Sequence, residues 1–423
     1  MQICLRASAL LLLFTLLGCG SETAQRPSPA EPTAIKSEPM PVGTTPVSVA
    51  TAAPEPMPIL SPEEISDGWI TLFDGQTLFG WKAESKANWE AKNGVLSVSQ
   101  GEPGLLCTTS TFDNYQLKLE FRAPEKSNSG IFLRTASVVG KEDVATKCYE
   151  LNIAGADNPF PTGSLVMRAK AKEVPYVDDW RSYDVTVDGA KITVLLDGAE
   201  VVSYEDPNPL GSGFIGLQLN SGLVEFRNIK LKPLGLDSLF NGKDLSGWKE
   251  PAETQSKFSV TEEGWLNVKN GKGYLETEKS FGNFALQLQC ISNADCLNSG
   301  VFFRCIPGET MNGYESQIQN CFKNDDRTQP ADCGTGGIFR RINARRVIPN
   351  DKEWFTKTII ADGSHISVWV DGYQVTNWTD ERPAHENPRN GLRTEAGTIQ
   401  LQGHDPTTDL SFRNITAREL NPR

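Results

Sequence analysis

From Trp69 to the C-terminus the chain runs in short segments whose apolar and polar residues alternate. Tyr115-Gln116-Leu117-Lys118-Leu119-Glu120-Phe121 and Ile366-Ser367-Val368-Trp369-Val370 are examples. A period of two sends successive side chains to opposite faces, the mark of half-buried strands. Asp-Gly and other glycine turns punctuate the segments, as in Val187-Asp188-Gly189 and Leu196-Asp197-Gly198. Each unit of the chain is therefore expected to be an all-β sandwich. Asp188 and Asp362 sit at such turns, where tight-turn geometry alone accounts for them.

The same pattern occurs twice. Leu72-Phe73-Asp74-Gly75 with Gly80 and Trp81-Lys82 recurs as Leu239-Phe240-Asn241-Gly242 with Gly247 and Trp248-Lys249. Asn128-Ser129-Gly130-Ile131-Phe132-Leu133-Arg134 recurs as Asn298-Ser299-Gly300-Val301-Phe302-Phe303-Arg304. Tyr149-Glu150, Thr162-Gly163, Trp180, Asp197-Gly198 and Phe226-Arg227-Asn228-Ile229 find partners in Tyr314-Glu315, Thr335-Gly336, Trp354, Asp371-Gly372 and Phe412-Arg413-Asn414-Ile415. The repeating unit is a whole domain rather than a solenoid turn.

Taken together these motifs resemble the 3-keto-disaccharide hydrolase domain family, over Gly68 to Leu234 and again over Leu236 to Leu420. The resemblance implies two tandem concanavalin A-like jelly rolls, expected at 61–234 and 235–423, and a carbohydrate or 3-keto-glycoside as partner. It implies hydrolysis or elimination of 3-keto-glycosides. The alternative is a non-catalytic, lectin-like sugar-binding or adhesion protein, because one fold hosts both.

Strand parity nominates the site. In Tyr314-Glu315-Ser316-Gln317-Ile318-Gln319, Tyr314 and Ile318 belong to the apolar face, leaving Glu315, Gln317 and Gln319 on the other. In Ile399-Gln400-Leu401-Gln402-Gly403-His404 the non-core set is Gln400, Gln402 and His404. Arg304 shares parity with Asn298 and Phe302, so Arg304, Asn298, Glu315, Gln317, Gln402 and His404 are expected on one face of one sheet. The first copy offers Arg134, Glu150, Asn152 and Gln218 there, with Asn220 where the second has His404. Phe132 and Phe302 have the parity of sugar-stacking aromatics. His365 and His385 are weaker candidates.

A ketone at carbon 3 acidifies the hydrogen at carbon 2, so a base can remove it and the enolate can expel the group on carbon 1. Glu315 or His404 fits the base, Arg304 the partner of the enolate oxygen, and Asn298, Gln317, Gln402, Arg134 and Glu150 substrate binding. No cofactor is demanded, although Glu315 and His404 are also compatible with a divalent metal polarising the ketone. Two-carboxylate glycosidase chemistry is disfavoured: laminarinase-type enzymes carry Glu-x-Asp-x-x-Glu on one strand, and here the strands read Glu150-Leu151-Asn152 and Glu315-Ser316-Gln317. The chemistry is expected mainly in the second copy, the one with a histidine.

The N-terminus changes the picture of where this happens. Arg6, the apolar run Ala9 to Phe14 and Leu16-Leu17-Gly18-Cys19 match a bacterial lipoprotein signal over 1–18, with Cys19 the lipidated residue and a membrane anchor. Residues 19–60, dense in Pro, Ala, Thr and Ser, are expected to be a disordered tether. The location implied is the cell envelope. Net charge −12 without a basic cluster argues against nucleic acid as a partner. Outside a reducing cytosol disulfides can form; Cys290–Cys305 and Cys321–Cys333 are the expected pairs.

Overall fold

The computed structural model describes residues 60–137, 143–172 and 174–422. The signal sequence, Cys19 and nearly all of the tether lie outside the described residues. Among the described residues each copy has an eight-stranded and a five-stranded sheet, and the second adds a two-stranded one, Phe322–Lys323 with Asp326–Pro330; the strand pairings in these sheets are antiparallel.

In the first sandwich the larger sheet runs Ala199–Glu205, Lys191–Leu196, Arg181–Asp188, Tyr115–Arg122, Val224–Pro233, Val95–Val98, Glu90–Lys92, with Ile70–Thr71 also on Val224–Pro233. The smaller runs Trp81–Ala83, Gly104–Thr108, Phe214–Leu219, Ser129–Thr135, Tyr149–Ile153. In the second sandwich the larger sheet runs Lys257–Val260, Leu266–Lys269, Asp409–Glu419, Phe284–Ser292, Trp354–Asp362, His365–Val370, Tyr373–Thr379, with Asp237–Ser238 on Asp409–Glu419. Its smaller sheet runs Trp248–Lys249, Gly273–Phe281, Gly397–Gly403, Ser299–Cys305, Tyr314–Ile318.

The alternation read from the sequence is what builds the core. Tyr115, Leu117, Leu119 and Phe121 are buried while Gln116, Lys118 and Glu120 are half-buried on the other side. Val301, Phe303, Tyr314, Ile318, Ile399 and Leu401 fill the second core. The Asp-Gly hairpin tips are as expected: Leu196 pairs with Ala199 across Asp197 (φ 51°) and Gly198 (φ 79°), two consecutive positive φ values that Asp and Gly tolerate best.

Many residues shared by the copies are staples of this scaffold. The indole N–H groups of Trp81 and Trp248 donate to Leu72 O (2.6 Å) and Leu239 O (2.7 Å). The Tyr149 and Tyr314 hydroxyls donate to Asp206 and Asp380, each at 2.7 Å.

The two sandwiches pack on each other. Ala285, Ile360 and Trp369 of the second join the core of the first. The Trp369 indole donates to Thr71 O (2.9 Å), and Arg345 pairs with Asp74 (2.9 Å) while lying over Phe79. A short helix, Pro62–Ser66, closed by a Ser61–Glu64 capping box, precedes the first sandwich and touches the second, where Thr356 Oγ1 donates to Ile65 O at 3.2 Å.

Candidate functional site

The five-stranded sheet of the second sandwich carries its polar residues in two rows on the face turned from the core. Register pairs Glu276 with Gln400, Gln400 with Phe302, and Phe302 with Glu315. The next row pairs Tyr274 with Gln402 and Gly300 with Gln317. Gly300 is required by this arrangement, since a Cβ there would stand 2.7 Å from Glu315 Oε1.

Half of the face is closed by the loop after Ser299–Cys305. Gly308 N donates to Glu276 (3.1 Å), Met311 N to Gln400 Oε1 (2.9 Å), and Gln400 Nε2 to both Glu276 Oε1 and Glu309 O (2.9 Å each). These bonds satisfy Glu276 and Gln400 as structure. What stays open is a cleft of about 520 Å³ at Glu315, walled by Phe339, Arg340, Arg341 and Arg389.

Glu315 is 5% exposed, and burial raises its carboxyl above the usual range against the opposing pull of Arg389 and His404. Arg389 Nη2 lies 3.2 Å from Glu315 Oε2, its Nε donates to Met311 O (3.2 Å), and its guanidinium stands over the Phe302 ring at 4.9 Å. Gln317 Nε2 donates to Asn298 Oδ1 (3.0 Å) and Asp332 Oδ2 (2.9 Å), while Gln402 Nε2 reaches Met311 Sδ (3.2 Å). Among the described residues the amide oxygens of Gln317 and Gln402 are buried without a donor. Buried acceptors in that state are suited to receive hydroxyl protons.

The structure thus brings Glu315, Gln317, Asn298 and Gln402 onto one face of the sheet, with Glu315 lining the cleft and the other three in the row behind it. His404 stands just past the Gln402 strand, 41% exposed at its side chain, its Nδ1 2.9 Å from Asp405 Oδ2. His365 bonds Thr379 and Ser367, and His385 accepts from Asn387 N on an exposed loop; neither enters the cleft.

Arg304 and Arg134 are corrected. A bulge shifts the register between Phe302 and Cys305, and Arg304 takes φ 49°, which turns its side chain off the parity of Phe302. It is fully buried and donates to Gly282 O (2.9 Å), Gly363 O (2.6 Å), Arg393 O (3.1 Å) and Asn283 Oδ1 (3.2 Å). Arg134 repeats this with Asp113 O, Gly189 O, Leu210 O and Asn114 Oδ1. With their N–H groups spent on loops, both are structural staples rather than enolate partners or sugar ligands. The group facing Glu315 is Arg389, which parity reasoning missed because it comes from the loop Asn387-Pro388-Arg389-Asn390; loops on a rigid scaffold are where such groups concentrate.

The first copy has the acid in different surroundings. Its row reads Cys107, Gly216, Phe132, Glu150. Leu105, Cys107, Phe132 and Cys148 form an apolar cluster with Val144 and Phe214 packed on it. Burial pushes Glu150 up to about 7, against a hydrogen bond from Gln218. Asn152 Nδ2 is tied to Phe160 O, and Asn220 is exposed. In place of Phe339-Arg340-Arg341 this copy has Val166-Met167-Arg168, and Arg168 is bound to Asp206 (2.9 Å).

Both expected disulfides are also corrected. Cys296 pairs with Cys321, their Cα atoms 5.2 Å apart, whereas Cys290, Cys305 and Cys333 are buried thiols. Among the described residues Glu315 and His404 join no group of three donors close enough to hold one ion; the one such group is Cys296, Cys321 and Asp351, whose cysteines are already bonded. The ligand set for a metal on Glu315 and His404 is therefore incomplete.

A domain family described as 3-keto-alpha-glucoside-1,2-lyase-like matches residues 68–232 and again 235–418. A 3-keto-disaccharide hydrolase of Bacteroides thetaiotaomicron is 24% identical over 230 residues, covering 40% of this chain and 79% of that protein. Among solved structures, a candidate glycosyl hydrolase from Parabacteroides distasonis is similar at 20% identity and TM-score 0.37, over 42% of this chain and 98% of that one. A carbohydrate-binding module from Bacillus subtilis is similar at 14% identity and TM-score 0.29, over 36% and 95%.

Proposed function

We propose that this chain, which belongs in both of its sandwiches to the 3-keto-alpha-glucoside-1,2-lyase-like domain family, cleaves 3-keto-glycosides in the cleft of its second sandwich. The observation that carries the reading is Glu315: a buried carboxyl, raised by desolvation and met by one arginine, on a face where two glutamine oxygens lack donors. A carboxyl raised in this way is a better proton acceptor near neutrality than an exposed one.

Glu315 takes the proton from carbon 2 of the keto sugar. The electron pair moves into the carbon 2–carbon 3 bond and the ketone oxygen gains negative charge beside Arg389. Its return forms a carbon 1–carbon 2 double bond as the carbon 1–oxygen bond breaks. The departing alkoxide takes up a proton, with His404, just past the Gln402 strand, as donor. Water adding across the new double bond, its proton to carbon 2 and its hydroxyl to carbon 1, completes net hydrolysis. Gln317 and Gln402 accept hydrogen bonds from ring hydroxyls, and the Phe339 and Phe302 rings with Arg389 exclude water from the carboxyl. Anchoring of this activity to the cell envelope through Cys19 is part of the same proposal.

One observation favours the first copy as a second reading: burial pushes Glu150 up to about 7, and among the described residues no cation pairs with it. Initial rates on a 3-keto-glucoside separate the two. Glu315→Gln should lower turnover by about 10²-fold or more, the scale of a lost general base, and His404→Ala should lower it as well, with unchanged thermal melts. Glu150→Gln should leave it near wild type. Equal damage from Glu150→Gln, or an unchanged rate in Glu315→Gln, would reject the assignment; binding without turnover by the wild type would favour the lectin-like alternative.

A further inference from the structure

The opposite side of the second sandwich carries another cleft. It measures about 510 Å³ and lies on the outer face of the eight-stranded sheet, where Ser66, Asp67 and Gly68 of the segment before the first sandwich meet Gln287, Gln289, Trp265 and Arg413. Clefts at the meeting of two domains are favoured ligand sites.

The first copy supplies an internal control. There Arg227 lies over Trp180 at 4.1 Å, and its charge is answered by Glu120, whose Oε2 is 2.7 Å from Arg227 Nη2 and accepts from Nε at 2.7 Å. In the second copy Arg413 lies over Trp354 at 4.0 Å in the same way. Register puts Gln289 opposite Arg413, as it puts Glu120 opposite Arg227. The acid has become an amide, whose oxygen accepts from Arg413 Nε (2.6 Å) and Asn414 Nδ2 (3.2 Å). Among the described residues no acid pairs with the outer edge of the guanidinium, in a position where burial lowers its pKa. Val95 after Gly94 is replaced by Trp265 after Gly264, and that half-buried indole meets Trp354 edge-on, centroids 5.0 Å apart.

We propose that this cleft is a second saccharide site, selective for a sugar that carries a carboxylate. The ligand's carboxylate pairs with the outer Nη edge of Arg413, beside the Nε that Gln289 already holds, and its pyranose ring stacks on Trp265. Aromatic faces beside arginine and amide groups are suited to sugar rings. The two acids of the lining do not block this: Asp67 is bound by Lys232 (2.6 Å) and the Trp69 indole (3.2 Å), and Glu263 is exposed at the rim. The site shares no lining residue with the Glu315 cleft.

The test is titration calorimetry of the protein with trigalacturonate and with maltotriose, using Glu315→Gln as host so that the other cleft turns nothing over. Trigalacturonate is expected to bind, with at least a tenfold loss in Trp265→Ala and in Arg413→Gln, and maltotriose to bind at least tenfold more weakly. Keto-glucoside turnover in the Trp265→Ala variant of the wild type should be unchanged, which keeps failure of this site distinct from failure of the other. Absence of trigalacturonate binding at millimolar concentration, equal binding of maltotriose, or affinity unmoved by Trp265→Ala would each overturn the proposal. Thermal melts accompany both variants, and Trp265→Ala decides if Arg413→Gln unfolds.

Discussion

Replacing Arg389 by Gln is the perturbation that most directly interrogates the cleft. Arg389 and Glu315 stand 3.2 Å apart, and the cation favours the ionised carboxylate. An ion pair near 4 Å is worth about 4 kcal/mol at an effective dielectric of about 20. The arginine side chain is 30% exposed, so water screens the pair and weakens that pull. The sign is fixed: removing the cation raises Glu315 further, and the base works only when ionised. The acidic limb of kcat/KM against pH should therefore move to higher pH. The plateau above the limb should fall too, by about 10²-fold, because the enolate oxygen loses its partner. The assay is a pH–rate profile on a 3-keto-glucoside, with Arg389→Lys alongside, which keeps the charge and should keep most of the limb position. An acidic limb that stays in place in Arg389→Gln would refute the coupling of the two residues in catalysis.

Arg304→Met should behave as a structural lesion: it orphans Gly282 O, Gly363 O and Arg393 O, and a loss of about 3 kcal/mol or more by denaturant melt is expected, the scale for breaking a buried charged network. Lys357 is fully buried, bonded to Ser316 O and Gln317 O, and lowered from 10.5 to about 8 by burial. Between those values the unfolded chain holds a proton that the native chain has released, so native stability rises with pH there; measured as wild type minus Lys357→Met, the gain should be on the order of 3 kcal/mol, and no gain would mean the amine stays charged. Cys19→Ser should release the protein from the membrane fraction, and its retention there would refute the anchor.

Most of the fold was readable because a period of two and the Asp-Gly tips are local signals. The same parity placed Glu315, Gln317 and Gln402 on one face. It failed at Arg304 for a definable reason: one extra residue in a bulge inverts every parity inference beyond it. The disulfide was missed because Cys296 and Cys321 meet through the course of two loops that no strand pattern encodes. Arg389 and the Phe339-Arg340 wall escaped for the same reason. Comparing the two copies by what they share led toward staples such as Arg134 and Arg304, Trp81 and Trp248, Tyr149 and Tyr314, since any working sandwich of this kind keeps its braces. The wall of the proposed cleft lies where the copies differ, at Phe339 against Val166 and Arg340 against Met167.

The insertion of Trp369 into the core of the first sandwich has a consequence for how such a duplicated protein can diverge. With its indole bonded to Thr71 O and Ala285 and Ile360 beside it, the second sandwich relies on the first for the covering of one flank. The first copy is thereby kept in service as a chassis even though its own polar face has filled with Leu105, Cys107 and Phe132. That brace is by itself a reason for the domain to be retained, whatever side chains its polar face carries.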